Sequence, residues 1–204
     1  MQNSYSARRR FLLTHAGMLA AASLIVSCTP DKPLFNSVDI TGADYARDFS
    51  LPDHNGKLRN LKDFRGNVVS IFFGFTHCPD VCPTGMAEMA EVKKLLGADG
   101  SKLQVIFVSV DPERDTPDVM KAYMSSFDPS FLALCPNPEQ LIALAKEFKI
   151  YYKKVDGSTP SSYTMDHSAG TFIFDPDGRV RLFGRYGSGA QALAADMAIL
   201  LKKA

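Results

Sequence analysis

Residues 68–75, Val-Val-Ser-Ile-Phe-Phe-Gly-Phe, are almost continuously apolar and rich in β-branched and aromatic side chains. A strand with one wet face alternates polar with apolar residues, whereas a run without alternation is covered on both faces, which makes it parallel and central. This segment therefore demands a sheet with layers on either side. It ends in Thr76-His77-Cys78-Pro79-Asp80-Val81-Cys82-Pro83, where two cysteines separated by three residues precede a helix-like stretch. In open sheets, sites gather beyond the carboxyl ends of parallel strands. Cysteines at i and i+4 on one helical face are close enough to share an ion or to close a disulfide.

The remaining elements follow from spacing and punctuation. Pro83 suits a first helical residue, and Met86, Met89, Val92 and Leu96 keep helical spacing to about Gly97. Residues 103–110 read as a second buried strand. Thr116-Pro117 caps a helix whose expected inner face is Val119, Tyr123 and Phe127. Asn137-Pro138-Glu139-Gln140 opens another helix in capping-box order, with Leu141, Leu144 and Phe148 facing inward. Tyr151 and Tyr152 lead into a short strand. Residues 153–165, rich in Ser, Thr, Gly and Pro, read as an exposed mobile loop ending near His167. Residues 171–174 and 180–182 form an antiparallel pair around Asp175-Pro176-Asp177-Gly178, and Leu193, Met197 and Leu200 mark a closing helix. Upstream, Phe49-Ser50-Leu51, the turn Asp53-His54-Asn55-Gly56 and Leu58 onward suggest an N-terminal β-hairpin. The order predicts an α/β domain with a mixed central sheet and flanking helices, the thioredoxin-like arrangement.

At the N-terminus, Arg8-Arg9-Arg10 precede an apolar run ending Ile25-Val26-Ser27-Cys28, the order of an export signal. Thr14, His15 and Ser23 interrupt the run, which falls below the roughly 20 apolar residues of a spanning helix. Cleavage is thus favoured over a retained anchor. Ile-Val-Ser-Cys is similar to a bacterial lipobox, so Cys28 is the expected lipidation site. Arg8-Arg9-Arg10-Phe11-Leu12 resembles a twin-arginine signal, although ordinary secretory signals also begin with basic residues. The expected plan is an export signal over residues 1–27, a tether over 28–46 and a folded domain over 47–204. The domain would sit in the cell envelope, anchored at a membrane and facing the periplasm or the exterior. The 23 basic and 22 acidic side chains nearly cancel, and losing the leader removes three arginines and no acid. Without a basic excess, nucleic acid is excluded as a partner.

The cysteine pair carries the chemistry. A helix N-terminus favours thiolate, which is both the nucleophile and the metal ligand. Thiol oxidoreductases of this fold usually separate their cysteines by two residues, so the wider spacing leans toward metal. Structural zinc needs four protein ligands, and no second paired-cysteine motif is present. Copper is satisfied by two thiolates and an imidazole, which can hold Cu(I) or Cu(II). Three histidines follow the leader: His54 reads as a solvated turn residue, while His77, beside Cys78, and His167, ahead of a strand, both remain open as third ligand. Asp80 is either a group that tunes the thiols or a turn acid that caps backbone N–H groups. Met86 and Met89 sit at core spacing, and Cys135, after an apolar run, is expected to be buried and inert.

Three separated segments match one family in order. Residues 75–83 (Phe-Thr-His-Cys-Pro-Asp-Val-Cys-Pro), residues 109–117 (Ser-Val-Asp-Pro-Glu-Arg-Asp-Thr-Pro), and Asp166-His167-Ser168 followed by Phe174-Asp175-Pro176-Asp177-Gly178 closely resemble the Sco/SenC family. The resemblance runs from about Phe49 to the C-terminus. It implies a thioredoxin-like fold, an anchored position outside the cytoplasm, and copper held by Cys78, Cys82 and His167. It further implies a role in assembling the dinuclear copper centre of cytochrome c oxidase, with that oxidase's copper-site subunit as partner and other copper chaperones or thiol reductants as further contacts. Asp111, Asp115 and Asp166 belong to the matched motifs; Asp166, like Asp80, is a candidate to act on the ligands from behind. The family's anchor is often a transmembrane helix, from which Cys28 departs. A second function stays open, a thiol-disulfide oxidoreductase in which Cys78 and Cys82 keep the oxidase's copper-site cysteines reduced. Val81-Cys82-Pro83-Thr84 also resembles a peroxiredoxin site, but Pro79 stands where that site has its activating threonine.

Overall fold

The computed structural model of the protein describes residues 33–159 and 162–202. Its six-stranded sheet runs from edge to edge as β1 (Val38–Asp39), β10 (Val180–Arg185), β9 (Gly170–Phe174), β4 (Val68–Gly74), β5 (Leu103–Ser109) and β6 (Leu132–Leu134). Strands β4, β5 and β6 are mutually parallel, and β9, β10 and β1 continue the sheet by antiparallel pairing. Two ribbons stand apart as sheets of their own, β2 (Leu51–Pro52) with β3 (Leu58–Arg59), and β7 (Tyr152–Asp156) with β8 (Tyr163–His167). The α-helices are α1 (Val81–Leu95), α2 (Pro117–Ser125), α3 (Pro138–Phe148) and α4 (Ala190–Lys202). Among the described residues no helix is long and apolar enough to cross a membrane. The expected mixed sheet with flanking helices and an N-terminal hairpin is present.

Strand β4 is central and buried along its whole length, as its sequence demands. Successive side chains point to opposite faces. Phe73 meets Phe148 of α3 and Phe172 of β9 at ring-centroid distances of 5.2 and 6.2 Å. On the other face, the Ser70 hydroxyl donates to the Met89 sulfur of α1 at 3.3 Å, and Gly85 of α1 lies against the Phe72 ring. Helices cover both sides, and β4 delivers its carboxyl end to the foot of α1.

Local signals place the helix starts. Thr116 caps α2 by accepting from Val119 N, with Pro117 at the first helical position. At α3 the Asn137 side chain accepts from Gln140 N at 2.8 Å while the Gln140 side chain accepts from Asn137 N at 2.9 Å. Helix α1 begins at Val81, two residues before Pro83, which is tolerated because N–H groups of the first turn have no partner within the helix. The inner face of α2 is shifted by one residue from expectation. Met120 and Met124 are fully buried, Tyr123 is half-buried, and Val119 is 40% exposed.

Three segments depart further. Residues 131–134 supply β6 on the open side of β5, where Leu132 pairs with Ile106. Residues 153–165 are not a free loop: their ends form the β7–β8 ribbon, with Tyr152 opposite His167 and Lys154 opposite Met165. The expected tether extends less far into the chain than residue 46. Val38 and Asp39 pair with β10, Ile40 N donates to Arg181 O at 2.9 Å, and Ala46 is fully buried. Before β1, the fully buried Asp196 of α4 accepts from Asn36 N and Ser37 N at 2.8 Å each and from Asn36 Nδ2 at 3.1 Å. The partners lie 160 residues apart, and nothing local in residues 33–46 announces them. The export signal and Cys28 lie outside the described residues.

Replacing Asp196 with Ala strands two backbone N–H groups and is expected to cost about 2–4 kcal/mol. The check is urea unfolding, with a lower midpoint at an unchanged slope. A wild-type midpoint would show that β1 adds nothing to the domain.

Candidate metal centre

The site begins where β4 stops. A Cβ on Gly74 would lie 2.7 Å from both Cys82 Sγ and the Phe107 ring, so only glycine lets α1 settle this close to the strand. Cys82, in the first turn of α1, is fully buried; Cys78, in the preceding loop, is half-buried and donates its N–H to Phe75 O at 3.2 Å. The loop is tied down by Asp115, itself 3% exposed. Its carboxylate accepts from Thr76 Oγ1 and Ser109 Oγ at 2.6 Å each, and from Thr76 N at 3.2 Å. Burial pushes the Asp115 carboxyl above its ordinary range despite these bonds.

The third member arrives on β8. Tyr163, Met165 and His167 share its inner face, while Thr164 and Asp166 point outward and are exposed. Ser168 closes the base of the ribbon, with its N–H donating to Tyr151 O at 2.9 Å and its hydroxyl accepting from Tyr151 N at 3.0 Å. His167 Nδ1 stands 3.0 Å from Ser168 O. A carbonyl only accepts, so Nδ1 carries the proton and Nε2 keeps its lone pair. That lone pair faces Cys82 Sγ at 3.7 Å. Phe72 and Phe75 brace the imidazole edge to face, at centroid distances of 6.2 and 5.8 Å.

Cys78, Cys82 and His167 thus present three ligand atoms within 4.8 Å of one another, the one such cluster of His, Cys and acidic groups among the described residues. A sulfur and a nitrogen bound at about 2.3 and 2.0 Å, with angles between tetrahedral and trigonal, lie about 3.5–3.7 Å apart. The observed 3.7 Å fits one metal ion between them. Soft sulfur with imidazole suits copper.

The thiols differ from expectation in one respect. Burial, and then the neighbouring Cys78, push the Cys82 thiol far up rather than down. The field of a helix end is worth about 0.3–1 kcal/mol, under one pKa unit, whereas full burial shifts a group by up to about 3–5 units. Desolvation wins, and Cys82 holds its proton until a cation replaces it.

His77 is exposed, with its ring nitrogen 3.2 Å from Thr76 Oγ1, so the structure brings His167 and not His77 to the thiols. His54 is half-buried rather than solvated. Its Nδ1 accepts from Ala133 N at 3.1 Å, seating the β2–β3 hairpin on β6, and burial lowers its pKa. Asp80 is exposed at the start of α1; its carboxylate accepts from Thr84 Oγ1 at 3.3 Å and caps no backbone N–H. Met86 and Met89 are core residues. Cys135 is half-buried rather than enclosed, and burial raises its thiol to about 11.

Residues 111–115 make bonds that no local sequence pattern announces. Asp111 accepts from Tyr163 Oη at 2.8 Å and pairs with Arg114, whose Nη1 donates to Tyr163 O at 3.0 Å. The alternation of residues 163–167 is the signal that would have revealed the strand.

Comparison with known proteins agrees with this geometry. The SCO1/SenC family model matches residues 38–202. An SCO2-like protein of Rickettsia felis is 37% identical over 166 residues, 80% of this chain and 81% of that one. Copper-bound ScoI of Bradyrhizobium japonicum superposes with a TM-score of 0.69 at 42% identity, covering 75% of this chain and 97% of that one. Yeast Sco1 with copper bound gives 0.70 at 28% identity, over 77% and 88% of the two chains. A fold, a three-ligand cluster and a family match over nearly the whole described domain lead to one conclusion: the chain belongs to the SCO1/SenC family.

Proposed function

We propose that this protein holds copper between Cys78, Cys82 and His167 and delivers it to the copper-site subunit of cytochrome c oxidase. The observation that carries the reading is the convergence of two sulfurs and an imidazole nitrogen within 4.8 Å, with the nitrogen's lone pair aimed at Cys82. The client follows from the motif resemblance, and copper is bound in the related solved structures.

Loading displaces the thiol protons, because thiolate is the ligand. Cys82 is the enclosed ligand, while Cys78 and His167 are half-exposed and form the side from which a client's ligands would approach. Transfer by ligand exchange needs no turnover. Asp80 and Asp166, both exposed beside a ligand, would meet the client rather than the metal. A lipid on Cys28 would hold the domain at the outer face of a membrane, the tether being shortened to the residues before Asn36.

A specific observation keeps the second function alive. Cys78 and Cys82 are free thiols whose sulfurs lie within 4.8 Å of each other. Closing their disulfide would release two electrons and two protons to a disulfide of the client, which becomes a dithiol. That step needs no third ligand, and His167 at most modulates it.

Anaerobic titration of the reduced protein separates the two. About one copper per chain is expected, with binding weakened by about 10–100-fold or more in H167A and disulfide reductase activity retained; full affinity in H167A would remove the histidine from the site. Because Cys82 holds its proton tightly, apparent affinity is expected to rise with pH between about 6 and 8, measured by competition with a chelator of known pH dependence. For the anchor, mass spectrometry of the mature N-terminus is expected to find a diacylglyceryl group on Cys28, and an intact leader would contradict it.

A further inference from the structure

The β7–β8 ribbon that carries His167 is a two-stranded sheet of its own. Such a ribbon is marginal in water unless something seats it. Met165 reaches the core, but the polar seat is Arg114, in the turn after β5. Its guanidinium lies 3.6 Å from the Tyr163 ring centroid, donates from Nη1 to Tyr163 O at 3.0 Å, and pairs through Nε with Asp111. Asp111 in turn accepts from Tyr163 Oη at 2.8 Å. Next to them, Lys154 of β7 reaches Glu113 at 2.7 Å and covers the Tyr163 ring at 3.9 Å.

The same turn grips the other half of the site. Asp115, one residue after Arg114, holds the cysteine loop through Thr76. Phe75 joins the two, since its ring has the Arg114 guanidinium at 5.8 Å and the His167 ring at 5.8 Å. Residues 111–115 therefore hold the dithiol loop with one acid and the imidazole ribbon with one cation.

We infer that Arg114 is a positioning residue for the third ligand: by seating Tyr163 it keeps His167 over the thiols, so that its loss leaves a two-sulfur site. The inference rests on copper binding at Cys78, Cys82 and His167. A cation stacked on an aromatic ring and hydrogen-bonded to its backbone is a strong local clamp. Its removal acts on the imidazole, four residues along the same strand, and not on the cysteine pair, which Asp115 still holds. Copper affinity and copper spectroscopy should respond.

The test is a double-mutant cycle on the full reduced chain, with Cu(II) as probe, in wild type, R114M, H167A and the double variant. R114M is expected to weaken copper by about 10–100-fold and to lose the imidazole nitrogen couplings from the electron paramagnetic resonance spectrum. In the H167A background R114M should change affinity less than about twofold, because the two act through one ligand. R114K, which keeps the cation over Tyr163, should recover part of the loss. Should R114M fail to fold, Y163F removes one hydroxyl from the same clamp and should weaken copper in the same direction. Equal losses with and without His167, or an R114M protein with wild-type affinity and nitrogen couplings, would overturn the positioning role. A wild type that binds no copper would overturn the copper reading, and this inference with it.

Discussion

The contact on which the site depends is the 3.7 Å approach of His167 Nε2 to Cys82 Sγ, made between residues 85 positions apart. It needs a glycine at the end of β4, because any side chain there would drive α1 away from the strand. It needs the imidazole to be oriented by a backbone carbonyl, so that the nitrogen facing sulfur is the one with a lone pair. And it needs the ribbon to be seated on the domain, which falls to the turn after β5. Core packing around β4 serves this end, since aromatic side chains on both faces hold still the strand from which the cysteine loop departs.

Burial and charge act in opposite directions here. The start of α1 offers a favourable field for thiolate, yet Cys82 is enclosed deeply enough that its thiol is raised instead. A buried sulfur that resists losing its proton is a poor free nucleophile but a good ligand for a cation that replaces the proton. Cys78 and His167 remain half-exposed. The site thus combines one sheltered donor with two that face solvent, as the proposed transfer by ligand exchange requires.

What could be read from the chain was what is stabilised locally. The unbroken apolar run of β4, the Thr116 and Asn137 caps, and the Cys-x-x-x-Cys loop at a strand end all lie within a few residues of their causes. The parts that escaped reading depend on distant partners. Strand β1 has two residues and exists because β10 and the Asp196 carboxylate receive it. Strand β6 has three and borrows its pairing from β5. The ribbon was masked by Ser, Thr and Gly in its composition, although Tyr163-Thr164-Met165-Asp166-His167 alternates inward and outward with period two. That alternation also orients His167 inward and Asp166 outward, information that residue type alone does not carry. For the sequence, family resemblance alone favoured His167 over His77; the geometry brings His167, and not His77, beside the thiols.

Whether Cys78, Cys82 and His167 together hold the metal is read directly by X-ray absorption at the copper edge of the loaded protein. Two sulfurs at about 2.2–2.3 Å and one imidazole nitrogen at about 2.0 Å are expected around the metal, with the nitrogen absent from H167A. A wild-type shell of sulfur alone, or of nitrogen and oxygen without sulfur, would contradict it.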